Sequence, residues 1–100
     1  MIIYNVTISV DDYIAEEWLT WMKARHIPAV MATGLFVEYR ILRVITGEHS
    51  HHTFAIQYTL ESHAHLDQYQ LEHAPALQKE HLEKYGDKAV AFRTVLEIVD

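Results

Sequence analysis

From Tyr4 to Val10 this chain alternates apolar and polar side chains at every step, and Ile2 continues the apolar set. Ile2, Tyr4, Val6, Ile8 and Val10 fall on one side, and Asn5, Thr7 and Ser9, with Ile3, on the other. An extended chain sends successive side chains to opposite faces, so residues 2–10 predict a strand with one apolar face. The period then switches. Ile14, Trp18, Trp21, Met22 and Arg25 recur at helical spacing. Asp11 and Asp12 predict an N-cap ahead of them, with Glu16 and Glu17 in the early turns where the helix dipole favours negative charge. Pro28 lacks an N–H and its ring crowds the turn before it, so this helix is expected to kink or restart there. Gly34 suits the position that ends it.

The second half repeats the scheme. Residues 35–46 predict a second strand, and Gly47-Glu48-His49-Ser50 a turn into a third over 51–60, with Phe54, Ile56, Tyr58 and Leu60 on one side. Ser62 predicts the cap of a second helix whose stripe runs Leu66, Tyr69, His73, Leu77 and on toward His81, kinked at Pro75 and closed by Gly86. Residues 88–99 predict the last strand, with Val90, Phe92, Leu96 and Ile98 on one face. The helices also echo each other: His26-Ile27-Pro28-Ala29-Val30 and His73-Ala74-Pro75-Ala76-Leu77 share one pattern. The order β-α-β-β-α-β, in a single domain over residues 1–100, is the ferredoxin-like plan of the α+β class. It has a four-stranded antiparallel sheet with two kinked helices on one face.

Composition excludes several chemistries. With no cysteine there is no thiolate nucleophile, disulfide or Cys-based zinc site. Eight basic residues against 14 acidic ones leave a formal charge of −6. The basic residues are scattered, so nucleic acid is not an expected partner. No apolar run is long enough to predict a membrane span, and a cytoplasmic, bacterial-type setting is the default expectation. The three serines lie outside any nucleophile-elbow pattern, and no glycine-rich loop could cradle a phosphate.

Two helices cover only one face of such a sheet. The other is expected to carry Asn5, Thr7 and Ser9, then Ala55, Gln57 and Thr59, then Ala91, Arg93, Val95 and Glu97. A face of mixed polarity usually packs against something, and twofold pairing of sheets predicts a homodimer. Asn5, Gln57, Arg93 and Glu97 are its candidate interface residues.

On the helix side, Trp18, Met22, His26, Tyr58, Tyr69 and His73 are candidates to line a ligand pocket. Buried Trp and Tyr need partners for their polar ends, and aromatic walls suit a flat, partly apolar molecule. A cavity above roughly 300 Å³ touched by Trp18, Tyr58 and His73 would support that reading. His26 and His73 each precede a proline by two residues, where an imidazole can satisfy a freed carbonyl or serve as acid or base. His49 and His51 would point the same way in a strand and form a weak two-point metal grip, lacking a designated third ligand.

The runs MIIYNVT, EEWLTWMK, HIPAVMATGLF, QYTLES, EHAPALQKEH and VAFRTVLEIV span nearly the whole chain. In them it resembles a bacterial family of about this length, a domain of unknown function with no assigned activity. More distantly it is similar to the dimeric α+β barrel superfamily. That group holds antibiotic-biosynthesis monooxygenases, haem-degrading enzymes and ligand-binding or stress-related proteins. Its haem-degrading members use an Asn on the first strand and a His on the second helix, and Asn5 and His73 stand in loosely corresponding places. The sequence departs from that pattern in the parity of Asn5, opposite Tyr4 and Val6, and in placing Trp18 and Trp21 on the first helix. The leading expectation is a homodimer binding a small, partly apolar molecule between helices and sheet, with no cofactor. The alternatives are a cofactor-independent monooxygenase- or oxidase-like enzyme using a pocket His or Tyr, and a structural or protein-interaction module.

Overall fold

The first strand ends up in the interior of the sheet because both of its neighbours pair with it antiparallel. In a computed structural model, which describes residues 1–45 and 52–100, β1 (Ile2–Val10) lies between β3 (His52–Leu60) and β4 (Ala89–Glu97). β2 (Glu38–Arg43) pairs with the far side of β3, giving the order β2-β3-β1-β4. Ile2, Tyr4, Val6, Ile8 and Val10 are all buried, as the alternation predicts. With them pack Phe54, Ile56, Tyr58 and Leu60, whose register on β3 puts them on the same face. The paired part of the second strand is shorter than residues 35–46, although Val37 and Val44 extend its backbone bonding to Thr59 and Thr53.

The helices cover that apolar face. A 3-10 turn (Asp12–Ile14) precedes α1 (Ala15–Trp21), a π-helical stretch (Met22–His26) and α2 (Ile27–Met31). The π stretch is the local answer to Pro28. The proline cannot donate to the carbonyl four residues back, so the helix widens by a residue before it, and the Ile27 N–H reaches five back to Met22. Pro75 acts differently. α3 (His63–Glu72) ends at His73, whose backbone (φ −123°) leaves the helical region, and α4 (Ala74–Tyr85) starts anew with the proline in its first turn. Each copy of the shared His-x-Pro-Ala pattern thus marks a break in a helix. Ser62 Oγ accepts the His65 N–H at 3.3 Å as expected of an N-cap, and Gly34 and Gly86 take the positive φ that ends a helix cheaply.

The last strand corrects the expected faces. Arg93 pairs opposite Val6 and Ala91 opposite Ile8, so Ala89, Ala91, Arg93, Val95 and Glu97 share the helix side of the sheet. Val90, Phe92, Thr94 and Leu96 share the open side with Asn5, Thr7 and Ser9, and Val90 and Phe92 are each 61% exposed. Arg93 and Glu97 therefore do not accompany Asn5 and Gln57 on a sheet-to-sheet interface. Hydrophobicity alone pointed the other way because the apolar residues of β4 face away from the core, on a surface that no other described residue covers. The arginine bonded to Gln57 is Arg40, at 3.2 Å across β2 and β3.

Candidate functional site

Two aromatic clusters meet under the helices. Phe36 joins Tyr58 at 5.2 Å and Tyr69 at 4.8 Å between ring centres, with Tyr4 against Tyr69 at 5.7 Å. On the helices, Trp21 lies 5.5 Å from both His26 and Tyr85, and His26 lies 5.9 Å from His81. Between the clusters sits a cavity of about 30 Å³. Val6, Ile8 and Ile56 form its sheet wall, and Met22 and Val30 its helical wall. Its polar groups come from Tyr4, Tyr58, Tyr69, His26, Gln78, His81 and Arg93.

The cavity is smaller than the expected ligand pocket by an order of magnitude. It does not stand alone, however. A cleft of about 380 Å³ between the end of α4 and β4 shares Gln78, His81, Ala91 and Arg93 with it, and extends outward past Leu82, Asp87 and Ala89. β4 leaves this space open because its inward positions there are Ala89 and Ala91, too short to fill the gap beneath α4.

Burial keeps the site's tyrosines and histidines neutral. Desolvation raises the pKa of Tyr4, Tyr58 and Tyr69, so all three hydroxyls are donors at ordinary pH. It lowers His26 to about 4, helped by repulsion from His81 and, more weakly, from Arg93. His81 is lowered too, by burial and then by Arg93. The Trp18 indole N–H donates to His81 Nε2 at 3.0 Å, so the neutral imidazole carries its proton on Nδ1. Two buried polar atoms of cavity-lining residues, Tyr4 Oη and His26 Nδ1, have no hydrogen-bond partner among the described residues. Arg93 and Gln78 pull the Tyr4 pKa down against the burial, but neither closes a bond of good geometry.

Of the six expected pocket residues, Met22, His26, Tyr58 and Tyr69 line the cavity. Trp18 lies outside it and holds His81 in place. His73 sits at the break between α3 and α4, stacked on Tyr69 at 6.4 Å, and does not reach the cavity. Asn5 is on the open side of the sheet, its Nδ2 on Thr7 and Thr94, so it shares no site with His73. The pairing implied by the haem-degrading relatives is not assembled within the chain. Among the described residues no three of His, Asp and Glu converge on a possible metal site, and His49 and His51 lie outside those residues. Sequence reasoning did not place Tyr4, Gln78, His81 or Arg93 at this cavity, and assigned Arg93 to the interface instead. His81 was visible as the continuation of the Tyr69, His73, Leu77 stripe, and Tyr4 as a hydroxyl on an apolar strand face; nothing in the pattern singled out Gln78.

Taken together, the strand order and helical layer define an α+β protein of the ferredoxin-like kind with a polar-rimmed cleft between helices and sheet. The chain belongs to the family described as domain of unknown function (DUF4286), whose model matches residues 1–99. No curated protein matches it in sequence. Several solved structures share its fold. An ethyl tert-butyl ether D (EthD) family protein from Bacillus halodurans C-125 is 14% identical with a TM-score of 0.72, the alignment covering 99% of this chain and 100% of that one. A dimeric ferredoxin-like protein from an uncultured marine organism is 11% identical at 0.72, covering 100% and 96%. A mutant of MhuD with two manganese protoporphyrin IX molecules per active site is 19% identical at 0.63, covering 98% and 95%. At such identities the likeness is one of fold. Among the described residues, no helix is long and apolar enough to cross a membrane.

Proposed function

We propose that this protein is a homodimer that binds a small, partly apolar molecule in the cavity and cleft between helices and sheet. One observation carries the ligand reading. Tyr4 Oη and His26 Nδ1 are buried without a partner among the described residues, and both residues line the cavity that joins the cleft. Buried polar atoms in native proteins are nearly always satisfied, so two orphans at one spot suit a group supplied from outside. Met22, His26, Tyr58 and Tyr69, from the sequence reading, contribute to that site together with Tyr4, Gln78, His81 and Arg93. Binding fits better than histidine catalysis, because a His26 held near 4 is a weak base and His81 Nε2 is already engaged by Trp18.

The dimer reading rests on the open side of the sheet. There Val90, Phe92, Leu96 and Leu42 present exposed apolar surface around Asn5 and Gln57, a composition suited to burial against a second copy. That two of the solved structures are described as dimeric ferredoxin-like proteins favours the same arrangement.

A screen of one- and two-ring aromatic fragments by protein-observed NMR tests the ligand reading. Hits should shift the amides of Tyr4, Ala91 and Arg93, and Ala91→Phe, which fills the cleft, should remove them. Hits that gather elsewhere, or that survive Ala91→Phe unchanged, would overturn it.

A further inference from the structure

Resting on the reading of the cavity and cleft as a ligand site, we infer that the ligand is a planar organic oxyanion, such as a carboxylate, enolate or phenolate, and that Arg93 receives its charge.

Arg93 is the one permanently charged side chain among the four residues, with Gln78, His81 and Ala91, that line both the inner cavity and the outer cleft. It comes from β4, opposite Val6, with its side chain on the helix side. Among the described residues no carboxylate forms an ion pair with it. The ionisable groups around it do not balance its charge. Tyr4 of β1, Tyr58 of β3, Tyr69 of α3, and the two imidazoles, His26 and His81, are neutral at physiological pH. The acids in the neighbourhood are placed otherwise. Glu80 bonds Arg25 at 3.3 Å on the surface, Asp87 lines the outer end of the cleft, and Glu97 lies two inward positions further along β4. A chain of net charge −6 thus holds a permanent cation, without an ion-pair partner among the described residues, at the mouth of a site whose other polar groups are neutral.

The donors match the charge. A guanidinium presents a flat fork that fits two oxygens of a planar oxyanion, and such charge-assisted bonds are stronger than neutral ones. The unpartnered Tyr4 hydroxyl adds a donor beside it, and Gln78 an amide. Behind them Val6, Ile8 and Ile56 offer an apolar wall for the rest of the molecule. Charge at the rim and ring inside is the orientation this gradient selects.

Two probes of the same shape separate charge from shape: 2-naphthoate and 2-naphthamide, titrated calorimetrically into the full chain at pH 7. The naphthoate should bind about tenfold tighter or more, as expected for a hydrogen bond gaining a full charge. Arg93→Gln should abolish that preference, and Arg93→Lys should keep part of it. Because Arg93 is exposed at the rim, neither substitution removes core packing, and circular dichroism checks the fold. Equal binding of both probes to the wild type, or a preference that survives Arg93→Gln, overturns the anion inference and leaves the ligand site standing. Binding of neither probe overturns the inference and the site together.

Discussion

Lowering the pH should destabilise the fold chiefly through His26. Its folded pKa is about 4 against 6.5 for an exposed imidazole, because burial, and then His81, oppose a charge there. The unfolded chain therefore binds a proton more readily than the folded one. The stabilisation is fully present above the unfolded value, 6.5, and is lost progressively as pH falls toward the folded value, 4, below which it levels off. At full protonation the gap corresponds to about 3 kcal/mol, of which about 2 kcal/mol is lost between pH 7 and pH 5. For a domain of this size, that is a drop of roughly 10 °C in melting temperature. His26→Phe should remove this component while keeping an aromatic ring against Trp21, and Nδ1 has no partner to strand among the described residues. Urea unfolding at pH 7 and pH 5, at one protein concentration, measures the difference. The wild type should lose about 2 kcal/mol more than His26→Phe over that interval. The slope that remains in the variant belongs partly to His81, whose depression comes from burial and Arg93 rather than from His26. Parallel pH profiles for the two proteins would refute the claim that burial keeps His26 neutral.

Two further substitutions test the site's hydrogen bonding. Tyr4→Phe removes a buried hydroxyl with no partner among the described residues and keeps the ring, so the free protein should gain about 1 kcal/mol of stability in urea unfolding while losing affinity for any ligand of the cleft. A loss of stability would mean that the hydroxyl is satisfied. Trp18→Phe leaves His81 Nε2 without its donor and opens space in the core, and should cost about 2–3 kcal/mol, whereas Tyr39→Phe at a half-exposed ring should be near neutral by the same measurement.

What was legible in the sequence follows from which residues have one environment and which have two. The first strand could be read to the residue because only one of its faces meets the helices and the other is polar. The helical stripes and both proline breaks were equally plain, since a missing N–H disturbs a helix wherever it is placed. The fourth strand could not be read that way. Its apolar residues Val90, Phe92 and Leu96 lie on the side away from the helices, and its inward positions carry Ala91 and Arg93, so hydrophobicity pointed to the wrong face. A one-residue error of parity moved Arg93 from the cleft to an expected interface. The pocket suffered a milder version of this. Met22, His26, Tyr58 and Tyr69 were placed by stripe alone. Yet whether a buried ring lines a cavity or supports a neighbour, as Trp18 supports His81, depends on gaps of a few ångströms that no periodicity encodes.

The two faces of β4 tie the proposed dimer to the proposed site. β4 is an edge strand, hydrogen-bonded on one side only, and its inward residues Ala91 and Arg93 form one wall of the cleft. Among the described residues nothing covers its outward face, where Phe92 is 61% exposed. Packing a second copy there would restrain the strand that carries Arg93, because burying large apolar side chains on one face limits motion of the backbone they share with the other. Phe92→Asp should therefore do two things at once. It should give a one-chain mass by light scattering at micromolar concentration, since an aspartate cannot be buried cheaply in an apolar interface. It should also weaken binding in the cleft, although Phe92 does not line it, by leaving the Arg93 wall less ordered. A dissociated variant that binds as tightly as the wild type would show that one chain suffices to build the site. A variant that remains dimeric would show that the partner sits elsewhere.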